Sequence, residues 1–157
     1  MQNDYDFMTM ALEEASLAYG KEEVPVGAVL VCAGRVVARA HNAPITSNDP
    51  SAHAEMLVLR QAAGVTGNYR LSGYELYVTL EPCIMCAGVI IQARLARVIF
   101  GARDPKSGAV ASLYEILTDV RLNHQVAVTE GILKEECGEI LSRFFRQKRI
   151  VTASTEY

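Results

Sequence analysis

Two short elements in this chain carry side chains that bind soft divalent metals and one that moves protons: His53-Ala54-Glu55, and then Pro82-Cys83-Ile84-Met85-Cys86. A catalytic zinc takes three protein ligands and keeps a fourth position for water, whereas a structural zinc is closed by four. Cys83 and Cys86 are three apart, so a helix starting there places both thiols on one face, and its positive end stabilises their thiolates. His53 is the natural third ligand. On a helix, residues two apart diverge by about 200° at ~100° per residue, so Glu55 is poorly placed to share the metal with His53. From the same helix tip it reaches a bound water instead, which suits a proton shuttle. Zinc draws the pKa of such a water toward about 7, and the chemistry indicated is hydrolytic.

Other readings of the same residues stay open at this level. A Cys-x-x-Cys pair in a chain with βαβ character also fits thioredoxin-like redox chemistry. A structural zinc would need a fourth ligand from His41, His124, Cys32 or Cys137, none of which has standard spacing to the first three. Cys32 falls in an apolar run and Cys137 in a helical one, where small core or surface roles suffice. His124 reads as a loop or capping residue. Phe144 and Phe145 are adjacent and point about 100° apart on a helix, so one packs while the other is left to face a partner or substrate.

The elements that must hold these residues follow from periodicity. Phe7, Met10, Ala11, Ala15 and Ala18 recur at helical spacing, which predicts a first helix over about 5–19, with Asp4 and Asp6 at its N-terminus and Gly20 ending it. The apolar run Val26 to Cys32, the pair Ala33-Gly34 and the run Arg35 to Ala40 predict a hairpin. Asn42 to Pro50 collects turn formers and two prolines and reads as a loop that delivers His53 to a second helix. Tyr74 to Leu80 is a central strand running into Pro82, which opens a third helix. Arg97 to Gly101 is a fourth strand, joined to the third by a helix of the right length for a parallel crossover. A loop over 102–111, a short helical stretch near Leu113 to Leu117, a fifth strand at Gln125 to Val128 and a last helix over about 131–147 complete the list. Helices interleaved with strands imply an α/β fold, a mixed sheet covered on both faces.

Bulk properties narrow the class. The 157 residues, half of them hydrophobic, suit a single domain over 1–157, with a core over about 5–147 and a short tail over 150–157. The net charge of −3 gives no global basic field, so any nucleic acid must be held by local patches. The acidic start, Met1 to Asp6, lacks the basic-then-apolar pattern of a targeting peptide, and a cytoplasmic protein without a membrane partner is expected. Arg143, Arg146, Lys148 and Arg149 make the last helix end basic; spacing alone fits phosphate binding and helix-dipole compensation equally.

The segments Asp49 to Glu55, Asn68 to Leu71, Tyr77 to Gly88 and Phe100 to Ala109 closely resemble the bacterial tRNA-specific adenosine deaminases, and the resemblance runs from about Val24 to Arg149. The His-x-Glu and Pro-Cys-x-x-Cys elements alone mark the wider cytidine deaminase-like superfamily. Phe100 to Ala109 and the ending Arg143 to Arg149 resemble the tRNA enzymes in particular. The resemblance implies a three-layer α/β/α sandwich with a five-stranded mixed sheet, a homodimer, one Zn2+ per subunit, and inosine formation at the wobble position of a tRNA anticodon stem-loop. It implies that His53, Cys83 and Cys86 bind zinc and that Glu55 shuttles protons. Asn42 and the backbone at Ala54 would seat the target base, and Asp104, Lys106, Ser107, Phe145, Arg146 and Lys148 would meet the RNA. The tail from Ile150 to Tyr157 is less basic than in Lys-rich relatives, which leaves RNA affinity to the preceding helix. Rival functions are a free-base deaminase for guanine or cytosine with the same zinc and Glu55, and a non-catalytic zinc-stabilised RNA-binding domain, which would not need Glu55.

Overall fold

The computed structural model describes residues 1–155. Its elements are α1 (Asp4–Gly20), β1 (Gly27–Cys32), β2 (Arg35–His41), α2 (Pro44–Ser47), α3 (Ala54–Thr66), β3 (Glu75–Leu80), α4 (Ile84–Gln92), β4 (Arg97–Ala102), β5 (Ala127–Glu130) and α5 (Lys134–Thr155). The five strands lie in the order β2-β1-β3-β4-β5. β1 is antiparallel to β2 and to β3, while β3, β4 and β5 run parallel. This is the mixed sheet expected from the sequence.

Strand alternation divides the core in two. Ala28 and Leu30 of β1, Leu76 and Val78 of β3, and Val98 and Phe100 of β4 face one side, where Val58 and Leu59 of α3 and Ala87 and Ile90 of α4 cover them. Val29, Val31, Tyr77 and Ile99 face the other side, against Phe7, Met8 and Ala11 of α1 and Cys137 of α5. Side chains that alternate along a strand must be buried on both faces when both are this apolar, and the three-layer α/β/α sandwich does so.

α1 starts at a capping box in which Asn3 Oδ1 accepts from the Asp6 amide and Asp6 Oδ2 from the Asn3 amide. Asp4 lies in the first turn as expected and does more than face the helix dipole. It accepts from the Arg97 guanidinium at 2.6 Å and from the Tyr77 hydroxyl at 2.7 Å, tying α1 to β3 and β4. The same helix lies hard against β1 at Gly27, where an added Cβ would sit 2.0 Å from the Ala11 carbonyl oxygen and 2.5 Å from the Ala15 nitrogen. Both are backbone atoms and cannot swing away. Gly27→Ala is expected to destabilise the protein by about 3 kcal/mol, read as a lower denaturant midpoint with an unchanged slope.

Several boundaries differ from expectation. Pro82 precedes α4 instead of opening it: the helix begins at Ile84 and Cys83 is its N-cap. The Asn42 to Pro50 loop contains the short helix α2. No helix forms near Leu113 to Leu117, because the amides of Val110, Ala111 and Ser112 are taken by the Glu81 carboxylate and the segment closes in turns. β5 is Ala127–Glu130, two residues further on than expected. α5 begins at Lys134 and runs to Thr155, well past Gln147, so most of the expected tail is helix. The end of that tail, Glu156 and Tyr157, lies outside the described residues.

Candidate active site

β3 points its C-terminal end at the N-termini of α3 and α4, and the chemistry-bearing residues collect there. His53 is the N-cap of α3, with extended backbone (φ −76°, ψ 151°), and Cys83 is the N-cap of α4, also extended. The helical divergence expected between His53 and Glu55 therefore does not apply, since only Glu55 is inside the helix. The two side chains line the same cleft, of about 280 Å³, together with Cys83, Asn42, Asp104 and Ser107.

His53 Nδ1 lies 3.5 Å from Cys83 Sγ and 3.6 Å from Cys86 Sγ. A tetrahedral zinc with Zn–N of about 2.0 Å and Zn–S of about 2.3 Å has an N···S edge of about 3.5 Å, which both distances match. The three donor atoms lie within 4.8 Å of one another, and no fourth His, Cys, Asp or Glu joins them among the described residues. His41, His124, Cys32 and Cys137 are not in this group: His41 Nδ1 lies 3.0 Å from the Asn42 carbonyl oxygen, His124 Nε2 lies 2.7 Å from the Leu95 carbonyl oxygen, and Cys137 is buried under Gly101. The set is therefore a three-ligand, open one.

Electrostatics agree with the assignment. A hydrogen bond from the Cys86 thiol, followed by one from His53, holds Cys83 down to about 4, so it is a ready thiolate. The bond to Cys83 raises His53, and Cys86, as the donor to Cys83, is raised. The protons shared in this cluster are those that a metal displaces on binding. Glu55 is buried, and desolvation pushes its carboxyl up to about 7. A carboxyl poised there both accepts and returns a proton near neutrality.

The other two carboxylates of the cleft are committed. Asp104 Oδ1 accepts from the amides of Lys106 and Ser107. Glu81 accepts from the amides of Asp104, Val110, Ala111 and Ser112 and from the Ser112 hydroxyl. Burial alone would raise its carboxyl, but the bonds from Ser112, Ala111 and Asp104 outweigh burial and hold it below the ordinary value. On the opposite wall, buried Glu23 accepts from the Thr46 amide and hydroxyl, both at 2.7 Å, and from the Ile45 amide, fixing α2 beside Asn42. Neither Glu23 nor Glu81 was legible as a site residue, because loop amides that need a buried acceptor leave no periodic signal.

Asn42 Oδ1 accepts from the Ala54 amide at 2.9 Å. The Asn42 amide nitrogen is left to donate into the cleft, and the Ala54 backbone, expected to help seat the base, fixes the Asn42 side chain. Val24, Val26, Pro44 and Leu80 complete the apolar walls and were not anticipated.

The cleft continues into a groove of about 640 Å³ between the Ala102 to Ser107 segment and α5, lined by Lys106, Ser142, Phe145 and Arg149 among others. Phe144 is buried and Phe145 is exposed in the groove, the division that adjacent helical positions require. Arg146 and Lys148 do not line it. Arg146 pairs with Glu139 at 3.1 Å, and the Lys148 ammonium lies over the Phe144 ring, because Gly138, Ser142, Phe145 and Arg149 form the helix face turned to the groove. Arg103 is held by Glu130 through two hydrogen bonds. Lys106 and Arg149 are thus the groove cations without an ion pair among the described residues.

Residues 1–102 match the cytidine and deoxycytidylate deaminase zinc-binding region. The chain is 50% identical over 149 residues to the tRNA-specific adenosine deaminase of Bacillus subtilis, covering 95% of this chain and 92% of that protein. A solved structure from work on A-to-I editing by tRNA:A34 deaminases at the wobble position of transfer RNA is 48% identical, with a TM-score of 0.83 over 86% of this chain and 98% of that one. A guanine deaminase from Bacillus subtilis is 38% identical with a TM-score of 0.62, over 65% of this chain and 66% of its own.

Proposed function

The chain belongs to the tRNA-specific adenosine deaminases, enzymes built on the cytidine and deoxycytidylate deaminase zinc-binding region, and from that premise we propose how its residues carry out the reaction. The reaction is the zinc-dependent hydrolysis of adenosine to inosine at the wobble position of a tRNA anticodon. The observation that carries the substrate assignment is the continuity of the cleft with a long groove in which Lys106 and Arg149 make no ion pair among the described residues. A free-base enzyme has no use for a groove beyond the base, while an anticodon loop must lay its backbone somewhere as one base enters the cleft.

His53, Cys83 and Cys86 would hold the zinc, whose Lewis acidity makes water a nucleophile near neutral pH. Glu55 takes the proton of the attacking water, delivers it to the adenine ring nitrogen beside the reacting carbon, and then assists ammonia departure. Asn42 donates to an acceptor on the base edge, and Val24, Val26 and Leu80 exclude water around the ring. Phe145 offers a face for a neighbouring base, while Lys106 and Arg149 meet phosphates, with Asp104 and Ser107 shaping the wall between cleft and groove. Arg146 and Lys148, off the groove face, would act on RNA outside the anticodon loop.

One deaminase domain over 1–157 is sufficient for these roles. A second copy is assigned to the apolar depression between α3 and α4, where Met56, Ala63, Tyr69 and Val89 are gathered and Tyr69 is exposed. No described helix is long and apolar enough to cross a membrane, and the tRNA substrate argues for work in the cytoplasm.

The test is incubation of zinc-loaded protein with an adenosine-containing anticodon stem-loop, beside free guanine, cytosine, adenosine and cytidine. Inosine is expected in the stem-loop alone. Turnover of a free base or nucleoside with the stem-loop unchanged would overturn the substrate assignment and leave the hydrolytic centre standing.

A further inference from the structure

We propose that Glu81 is a positioning residue for RNA recognition: it clamps the loop from Asp104 to Ser112 onto the strand end that carries Cys83, setting the groove wall in register with the metal ligands. The proposal rests on the tRNA reading above and concerns a buried carboxylate that the hydrolytic steps do not use.

Glu81 is 2% exposed and directly follows β3. Oε1 accepts from the Asp104 amide and the Ser112 hydroxyl, and Oε2 from the amides of Val110, Ala111 and Ser112 at 3.1, 2.8 and 2.9 Å. A carboxylate has about four lone-pair sites, so this one is saturated and has none left for substrate or water. Every donor comes from the one loop.

The loop is also stitched to the same segment through its backbone. The Ala109 amide donates to the Pro82 carbonyl at 2.9 Å, and Gly108 forms an antiparallel bridge with Cys83. Gly108 packs so closely that an added Cβ would lie 2.3 Å from the Glu81 carboxyl carbon. Between β4 and β5 the chain has no helix or strand of its own. Its shape depends on these anchors, and it presents Asp104, Lys106 and Ser107 to the groove.

Glu81→Gln keeps the volume but not the acceptors: an amide accepts through one oxygen and turns an NH2 toward N–H donors that then have no partner. For this variant KM for the stem-loop is expected to rise about tenfold, with kcat at saturation within about threefold of the parent. Zinc should stay at one ion per chain. Amide exchange at Val110, Ala111 and Ser112 should quicken about a hundredfold while β3 and β4 stay protected. Gly108→Ala disturbs the contact from the loop side and should also raise KM. In a Glu81→Ala background the added methyl enters the emptied space and should cost nothing further.

Freed amides with an unchanged KM would overturn the proposal, since the loop would then be irrelevant to RNA. Loss of zinc with a fall in kcat and no change in KM would also overturn it, by showing that Glu81 supports Cys83 alone. If Glu81→Gln does not fold, Gly108→Ala decides, and an unchanged KM there rejects the clamp. Failure of the tRNA reading is distinct: the parent enzyme would leave the stem-loop unconverted, while exchange at the three amides would still judge whether Glu81 holds the loop.

Discussion

Glu55→Ala is expected to fold, to bind one zinc per chain, and to lose turnover of the anticodon stem-loop by about a thousandfold or more, the upper part of what general acid–base catalysis contributes. Glu55 touches neither of the distances that define the metal triad, His53 to Cys83 and His53 to Cys86. It is buried in the first turn of α3 and is not one of the three residues whose donor atoms group together. Removing it also relieves a buried ionisable group, so stability should hold or rise slightly. Zinc content by elemental analysis, thermal unfolding and single-turnover assays together check the result. Loss of zinc from this variant would mean that the carboxylate helps hold the metal, and the division of roles would fail.

Removing the metal from the parent enzyme should have an effect of the same size on activity and a different one on structure. Chelation at neutral pH is expected to reduce turnover by about a thousandfold or more, because the Lewis acid is gone. The far-ultraviolet dichroism should stay near that of the holoenzyme, since the two apolar clusters lie on either face of the sheet and do not include His53 or Cys83. The unfolding temperature should fall by the linkage free energy of one bound ion, and added zinc should restore both activity and temperature. Collapse of the dichroism on chelation would show a structural ion, contrary to a three-ligand site.

The hydrolytic centre was legible because metal chemistry constrains residue type and spacing locally: a histidine and a Cys-x-x-Cys, each at a helix start, needed only the fold to bring them together. The alternating strands were legible for a similar reason, as Val29 and Leu30 must face opposite sides of a sheet. What escaped was set by long-range demands. Pro82 looked like a first helical residue, but Cys83 took the N-cap, which turned the thiolate toward His53. Leu113 to Leu117 looked helical until the nearby amides were given to Glu81, thirty or so residues distant in the chain by their spacing of |i−j| = 29 to 31. The basic end of α5 showed the right charge but not its phase. Ile140 and Phe144 point into the protein, which leaves Phe145 and Arg149 for the groove and turns Arg146 away from it.

The docking of α5 on α1 has a consequence for the order of events in synthesis. The Tyr19 ring packs edge-on against Phe144, lies under the Arg143 guanidinium, and its hydroxyl donates to Gln147, a partner 128 residues later. The sheet and all three metal ligands lie upstream of α5, so a nascent chain emerges with its ligand residues before the helix proposed to face RNA can seat. Until α5 arrives, the groove lacks the wall formed by Gly138, Ser142, Phe145 and Arg149, and a chain released early would keep the ligand set while lacking the surface proposed to select the substrate. With the proposed selective surface on α5, downstream of all three ligands, substrate choice would follow the seating of that helix rather than the assembly of the ligand set.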